Sequence, residues 1–103
     1  MIDKAYGRTN PDTDYDAKLL GQIDRSIALA HEDPLPYFVK GRYLTQVRRP
    51  EEGIRADDAG LAINPNFAPL HAARGLAEMY IGQYEQGKID VQRAMRLSPT
   101  IRP

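Results

Sequence analysis

Cysteine is missing from the chain, so no disulfide staples it and no cysteine-based metal site exists. Charge of one sign is missing as well: Lys and Arg number 14, Asp and Glu number 14, and the formal net charge is zero. That balance gives no long-range attraction to nucleic acid or to an anionic membrane. No stretch approaches the roughly 18 apolar residues of a membrane span, and Met1 to Asn10 lacks the apolar segment of a signal peptide. The seven glycines besides Gly7 are scattered, with neither of the spacings that cradle phosphates, G-x-x-x-x-G-K-S/T and G-x-G-x-x-G. Strict polar–apolar alternation, the mark of a half-buried strand, does not occur. What remains is 103 residues of ordinary globular composition, enough for one small domain of modest stability. A reducing, cytoplasmic setting is compatible with it.

What the chain does contain is a repeat. Ile63-Asn64-Pro65 recurs as Leu97-Ser98-Pro99, 34 residues on. The same offset carries Gly41 onto Gly75, Glu51 onto Glu85 and Gly53 onto Gly87, and also Lys40 onto Arg74, Val47 onto Ile81, Gly60 onto Ala94 and Leu61 onto Met95. The identities fall at small, turn and boundary positions, where backbone geometry selects the residue. Helix ends can be read between them. Asp33 can cap a helix that opens on Pro34 and runs to about Arg48. Pro50, followed by Glu51 and Glu52, opens the next, which ends near Asn64. Pro69 opens another, ending at Gly82 as a left-handed stop, and a last helix runs from about Tyr84 to Leu97. Upstream, Thr13 and Asp16 resemble a capping box, and Leu19, Leu20, Ile23, Ile27 and Ala30 recur at helical spacing. They predict a helix from about Asp14 to Ala30. The fold class expected is therefore all-α, with five antiparallel helices joined by short turns. Residues 1–13 read as a flexible arm, 14–31 as a lone helix, 34–65 and 68–99 as two repeats, and 100–103 as a tail.

These residues resemble the tetratricopeptide repeat family, an α-solenoid of helix-turn-helix units. In the first full repeat Tyr37 takes the family's bulky place, Gly41 the small one, Leu44 the aromatic one, Gly53 and Gly60 the small contacts of the second helix, and Pro65 the closing proline. His71, Gly75, Glu78, Gly87, Ala94 and Pro99 take them in the second. Tyr80 to Gly87 is close to the family's usual turn, and Ser26 stands at the small contact of a lone second helix. Three departures mark this chain. Lys40 and Arg74 stand where a buried Leu is usual, and Glu78 and Asp57 where aromatics are. One reading has long stems snorkelling to water, with Arg74 paired to Glu78 across a turn; the other is a polar seam that recognises a partner or a second copy. Phrases such as Ala62-Ile63-Asn64-Pro65-Asn66-Phe67-Ala68 are similar to repeat regions of bacterial signalling proteins such as adenylate cyclases.

No candidate for chemistry assembles from the pattern. His31 and His71 stand 40 residues apart, whereas a zinc site needs several converging ligands. Asp57 and Asp58 are adjacent, and neighbours on a helix diverge by about 100°, too far to flank one bond. Ser26 and Ser98 have no base nearby in sequence. Arg42, Arg48, Arg49 and Arg55 cluster but read as a solvated rim. The residues call for no cofactor, no metal ion and no catalysis.

Function then rests on surface. The resemblance implies that the first helices of successive pairs line a concave side, which here places Phe38, Arg42, Thr45 and Gln46 opposite Ala72, Leu76, Met79 and Tyr80. Aromatic and Arg anchors of this kind dominate interfaces. Relatives that clamp a peptide's C-terminal carboxylate use Lys and Asn where this chain has Phe38 and Ala73. The expectation is a protein-binding scaffold, the regulatory repeat region of a larger bacterial signalling protein, holding a protein, a peptide or another domain of its parent chain, and neither nucleic acid nor membrane. The alternative is a self-association module: Ile89, Val91, Met95 and Leu97 make the last helix apolar enough for a homodimer through terminal helices.

Overall fold

The structure, a computed structural model, describes residues 11–98, with side chains from residue 15 onward. Among the described residues there are five helices and no strand: α1 (Pro11–Leu29), α2 (Leu35–Gln46), α3 (Pro50–Ile63), α4 (Ala68–Tyr80) and α5 (Tyr84–Leu97). Of the arm expected at 1–13, residues 1–10 lie outside the description and 11–13 are helical; the tail at 100–103 lies outside it. No described helix is long and apolar enough to cross a membrane.

Prolines and side-chain acceptors set the helix starts. The Asp33 carboxylate accepts the Leu35 N–H at 3.0 Å, satisfying a donor that α2 leaves open. α3 opens on Pro50, with Glu51 and Glu52 in its first turn, where proline loses no hydrogen bond and acids meet unpaired N–H groups. Arg49 braces that turn through paired contacts to Glu52 at 2.8 and 2.7 Å. α1 departs from the sequence expectation by starting at Pro11, which puts Thr13 inside its first turn and not at its N-cap. Proline, preset for helical φ, marks this start as it marks that of α3.

The turns after α2 and α4 are copies of each other. Arg48 and Gly82 have φ of 69° and 85°. The Arg48 and Gly82 N–H groups donate to the Thr45 and Met79 carbonyls at 3.2 and 3.1 Å, and the Arg49 and Gln83 N–H groups donate to the Leu44 and Glu78 carbonyls, both at 2.8 Å. This double closure satisfies carbonyls that the helix end orphans. Glycine suits the left-handed residue because it has no Cβ to crowd the carbonyl. Arg48 carries that crowding, of order 1–2 kcal/mol.

Each helix packs on the next, and α2 also touches α4. Contacting residues lie symmetrically about the turns, so neighbours run antiparallel. Where α2 crosses α3, a Cβ on Gly53 would stand 2.8 Å from the Gly41 carbonyl oxygen. Where α4 crosses α5, a Cβ on Gly87 would stand 2.7 Å from the Gly75 carbonyl oxygen. The four glycines are the pairs related by the 34-residue offset; they let two backbones approach closer than any side chain permits. A second device repeats at the same spacing. Lys40 Nζ of α2 meets Asp24 Oδ1 of α1 at 2.8 Å, and Arg74 Nη1 of α4 meets Asp58 Oδ1 of α3 at 2.7 Å. α1 thus stacks on the α2–α3 hairpin as α3 stacks on the α4–α5 hairpin. Tyr43 adds a hydroxyl hydrogen bond to Asp16, which pushes its pKa up to about 12.

The core is thin because alanine supplies much of it: Ala56, Ala68, Ala73, Ala77 and Ala94 are all buried. Leu70, with no exposed surface, is its centre, and Gly60 makes room for it: a Cβ there would lie 2.6 Å from Leu70 Cδ1 and 2.9 Å from Tyr37 Cβ. Burying one leucine contributes about 2 kcal/mol. The other large side chain fully buried is Asp57.

Candidate binding groove

Helical spacing brings Phe38, Arg42, Thr45 and Gln46 onto one face of α2, and Ala72, Leu76 and Tyr80 onto one face of α4. The two faces meet. Phe38, Arg42, Thr45, Gln46, Ala72 and Leu76 line one cleft of about 360 Å³, completed by Pro69 and Ala73. Tyr80 lines an adjoining cleft of about 510 Å³ with Arg48 and Pro50. Thr45 and Gln46 belong to both, so the two clefts form one groove that follows α2 to its last turn.

Of the eight residues picked from the sequence, Met79 goes elsewhere. Its side chain packs over Gly87 of α5, where a Cβ would approach Met79 Cγ to 2.8 Å. The reason is the crossing: Met79 lies one turn beyond Gly75, on the flank of α4 that Gly87 brings against α5. Pro69, Ala73, Arg48 and Pro50 are groove residues that the sequence reading missed. The first two flank Ala72 on α4, and the others enter with the turn that ends α2.

The groove is apolar along its floor and positive at its edge. Leu76 and Tyr80 keep 46% and 63% of their surface exposed, large values for apolar side chains. The Arg42 guanidinium lies 5.8 Å from the centre of the Phe38 ring, a cation–π contact that holds the arginine over the cleft. Neither Arg42 nor Arg48 meets a carboxylate among the described residues, and no acid lines either cleft.

Arg74, Glu78 and Asp57, read from the sequence either as side chains reaching water or as a seam for a partner, form a seam between helices in which Glu78 and Asp57 are buried and Arg74 is half-buried. The contact between Arg74 and Glu78 exists, at 3.9 Å, but other partners hold the guanidinium. Nε and Nη2 fork onto the two oxygens of Asp90, each at 3.0 Å, and Nη1 reaches Asp58. The hydrogen bonds to Asp90 raise the Arg74 pKa further. Burial alone would raise the Asp90 pKa, but hydrogen bonds from Arg74 and Glu78 outweigh it and hold the carboxylate below its usual range. Glu78 moves the other way: burial first, then its hydrogen bond to Asp90, push it up to about 8. Asp57 has no exposed surface, and neither of its oxygens finds a hydrogen-bond partner; burial and the nearby Asp58 charge push it up to about 8. His71 Nε2–H donates to the Pro65 carbonyl at 2.7 Å, and Nδ1 lies 3.7 Å from Asp90, so this histidine packs where α4 meets α5.

Asp90 is the member of the seam that sequence reasoning overlooked. A signal existed: Asp24 to Lys40, Asp58 to Arg74 and Arg74 to Asp90 are each 16 residues apart. Among the described residues no group of three or more His, Cys, Asp or Glu can hold a metal ion. The seam can order helices and trade protons. The groove, open and unpaired, is the surface on which something else can sit.

Compared with family models, curated proteins and solved structures, the chain matches none of them.

Proposed function

We propose that this chain is a non-catalytic scaffold of tetratricopeptide type, which holds a protein or peptide segment in the groove between α2 and α4. One observation carries the reading: six side chains chosen from the sequence for a concave face line a single cleft. The glycine-on-glycine crossings and the cross-helix ion pairs, each repeated after 34 residues, support the solenoid assignment. The proposal extends to the setting. The module acts in the cytoplasm as the regulatory repeat region of a larger bacterial signalling protein, and its occupant is a separate protein or another domain of the parent chain.

A second reading, self-association through terminal helices, is favoured by Tyr84, Ile89 and Leu97 on α5 and Leu29 on α1, all of which keep more than a third of their surface exposed. Site-specific photocrosslinking separates the two. A photoreactive residue at Leu76 captures a heterologous partner, and one at Ile89 captures nothing specific, if the groove is the working surface. Self-capture at Ile89, with a mass in light scattering that climbs with concentration, refutes the first reading in favour of the second.

A further inference from the structure

We infer that the occupant of the groove is an extended peptide with one bulky apolar side chain and a pair of internal carboxylates. The inference rests on the groove being a binding surface and adds what it selects. The apolar part of the lining is Phe38, Ala72, Ala73 and Leu76, next to Arg42. Arg48 stands at the far end, beyond Thr45 and Gln46, beside Tyr80. Both arginines lack an acidic partner among the described residues, and the lining holds no acid to oppose a second one. The half-buried cations are neutralised, Lys40 by Asp24, Arg49 by Glu52 and Arg74 by Asp58 and Asp90, whereas Arg42 and Arg48 are exposed and their charge faces outward. Charge complementarity therefore assigns acidic groups to the partner, since like charges there cost affinity and opposite ones fix register. Arg42 stands on the face of α2 and Arg48 in the left-handed turn past its last residue, so the two cations mark opposite ends of the joined lining. Two Asp or Glu side chains on one face of an extended chain, an even number of residues apart, reach both guanidinium groups, with the apolar residue on the Arg42 side.

Arg48 strengthens the assignment independently. It occupies a left-handed turn position whose counterpart, 34 residues on, is glycine. A strained residue at a place where glycine fits points to a function for its side chain. Here the strain sets a cation at the mouth of the groove.

The test is selection of binders from a random peptide library displayed with both ends blocked, first on the natural chain and then on variants. The expected pool is enriched in pairs of Asp or Glu an even number of residues apart, beside Leu, Ile or Phe. Arg42→Glu and Arg48→Glu each weaken a selected peptide by about tenfold, and its Lys-for-Glu analogue binds the doubly reversed variant better than the natural chain. A pool that depends on Phe38 and Leu76 but shows no acidic enrichment overturns this inference and leaves the groove standing. A pool indifferent to Leu76→Asp, with the variant's helical circular dichroism unchanged, removes the groove reading itself. Failure to enrich any sequence overturns the inference as well.

Discussion

Replacing Asp57 by Asn removes a titrating proton from the middle of α3 while keeping the side chain's shape. In the folded chain this carboxyl has no exposed surface and no hydrogen-bond partner, and its pKa stands at about 8 against 3.8 for the free side chain. Between those values the folded state holds a proton that the unfolded state has released. Its contribution to stability is therefore complete below about pH 4 and is lost as pH rises through about 8, with a slope of about 1.4 kcal/mol per pH unit. From pH ~5.5 to ~7.5 the loss from this one group is about 2.7 kcal/mol, a large part of the stability of a domain this size. Glu78, also raised to about 8, adds a loss of the same sign. Asp90, held low, acts oppositely: what it contributes is present at neutral pH and is lost only as acid is added below the usual carboxylate range. Urea denaturation at a series of pH values reads the slope, since the midpoint moves by the free-energy change divided by the m-value, itself about 1–3 kcal/mol per molar. The natural chain is expected to lose more than about 1 M in midpoint across that window, and Asp57→Asn to lose roughly half as much. Equal slopes for the two chains mean that Asp57 is ionised in the folded state, and the account of the buried seam fails.

Other perturbations have expected outcomes. Arg48→Gly relieves the left-handed strain and raises stability by about 1 kcal/mol, after the entropy glycine adds to the unfolded chain; an unchanged or lower urea midpoint contradicts the strain. Gly75→Ala puts a Cβ 2.8 Å from the Gly87 carbonyl oxygen and costs about 2–3 kcal/mol, whereas Gly21→Ala, whose nearest obstacle is the tip of Arg25 at 4.0 Å, stabilises α1 by about 0.5–1 kcal/mol. Thermal melts of both check the pair. Arg74→Met leaves Asp90, 2% exposed, as an uncompensated buried charge and costs about 3–5 kcal/mol. Lys40→Met loses only a pair open to water, less than about 1 kcal/mol, and similar melting points for these two variants would contradict the burial of Asp90.

Prolines and glycines made the backbone legible. Pro50, Gly82 and Tyr84 mark ends that the structure reproduces closely because φ restrictions act locally, without help from distant residues. The start of α1 was misjudged because two local signals competed there, Pro11 and the Thr13–Asp16 box, and the proline prevailed. The glycine pairs were legible as a spacing before their contact was known. The groove was largely legible for the same reason, since four-residue steps define a helical face. Met79 was not, because it shares its flank with Gly75, and only the packing shows that α5 covers that flank. Asp90 lay deeper still. An acid on the last helix acquires its role from where Arg74 arrives, which depends on how closely Gly75 and Gly87 let two backbones cross.

The ion pair that ties each hairpin to the helix before it makes length an adjustable property of this architecture. Because Asp58 meets Arg74 as Asp24 meets Lys40, a duplicate of residues 34–67 spliced between Asn66-Phe67 and Ala68 would find a familiar neighbour on either side. An extra unit could be added without redesigning a junction, and the groove would lengthen with it.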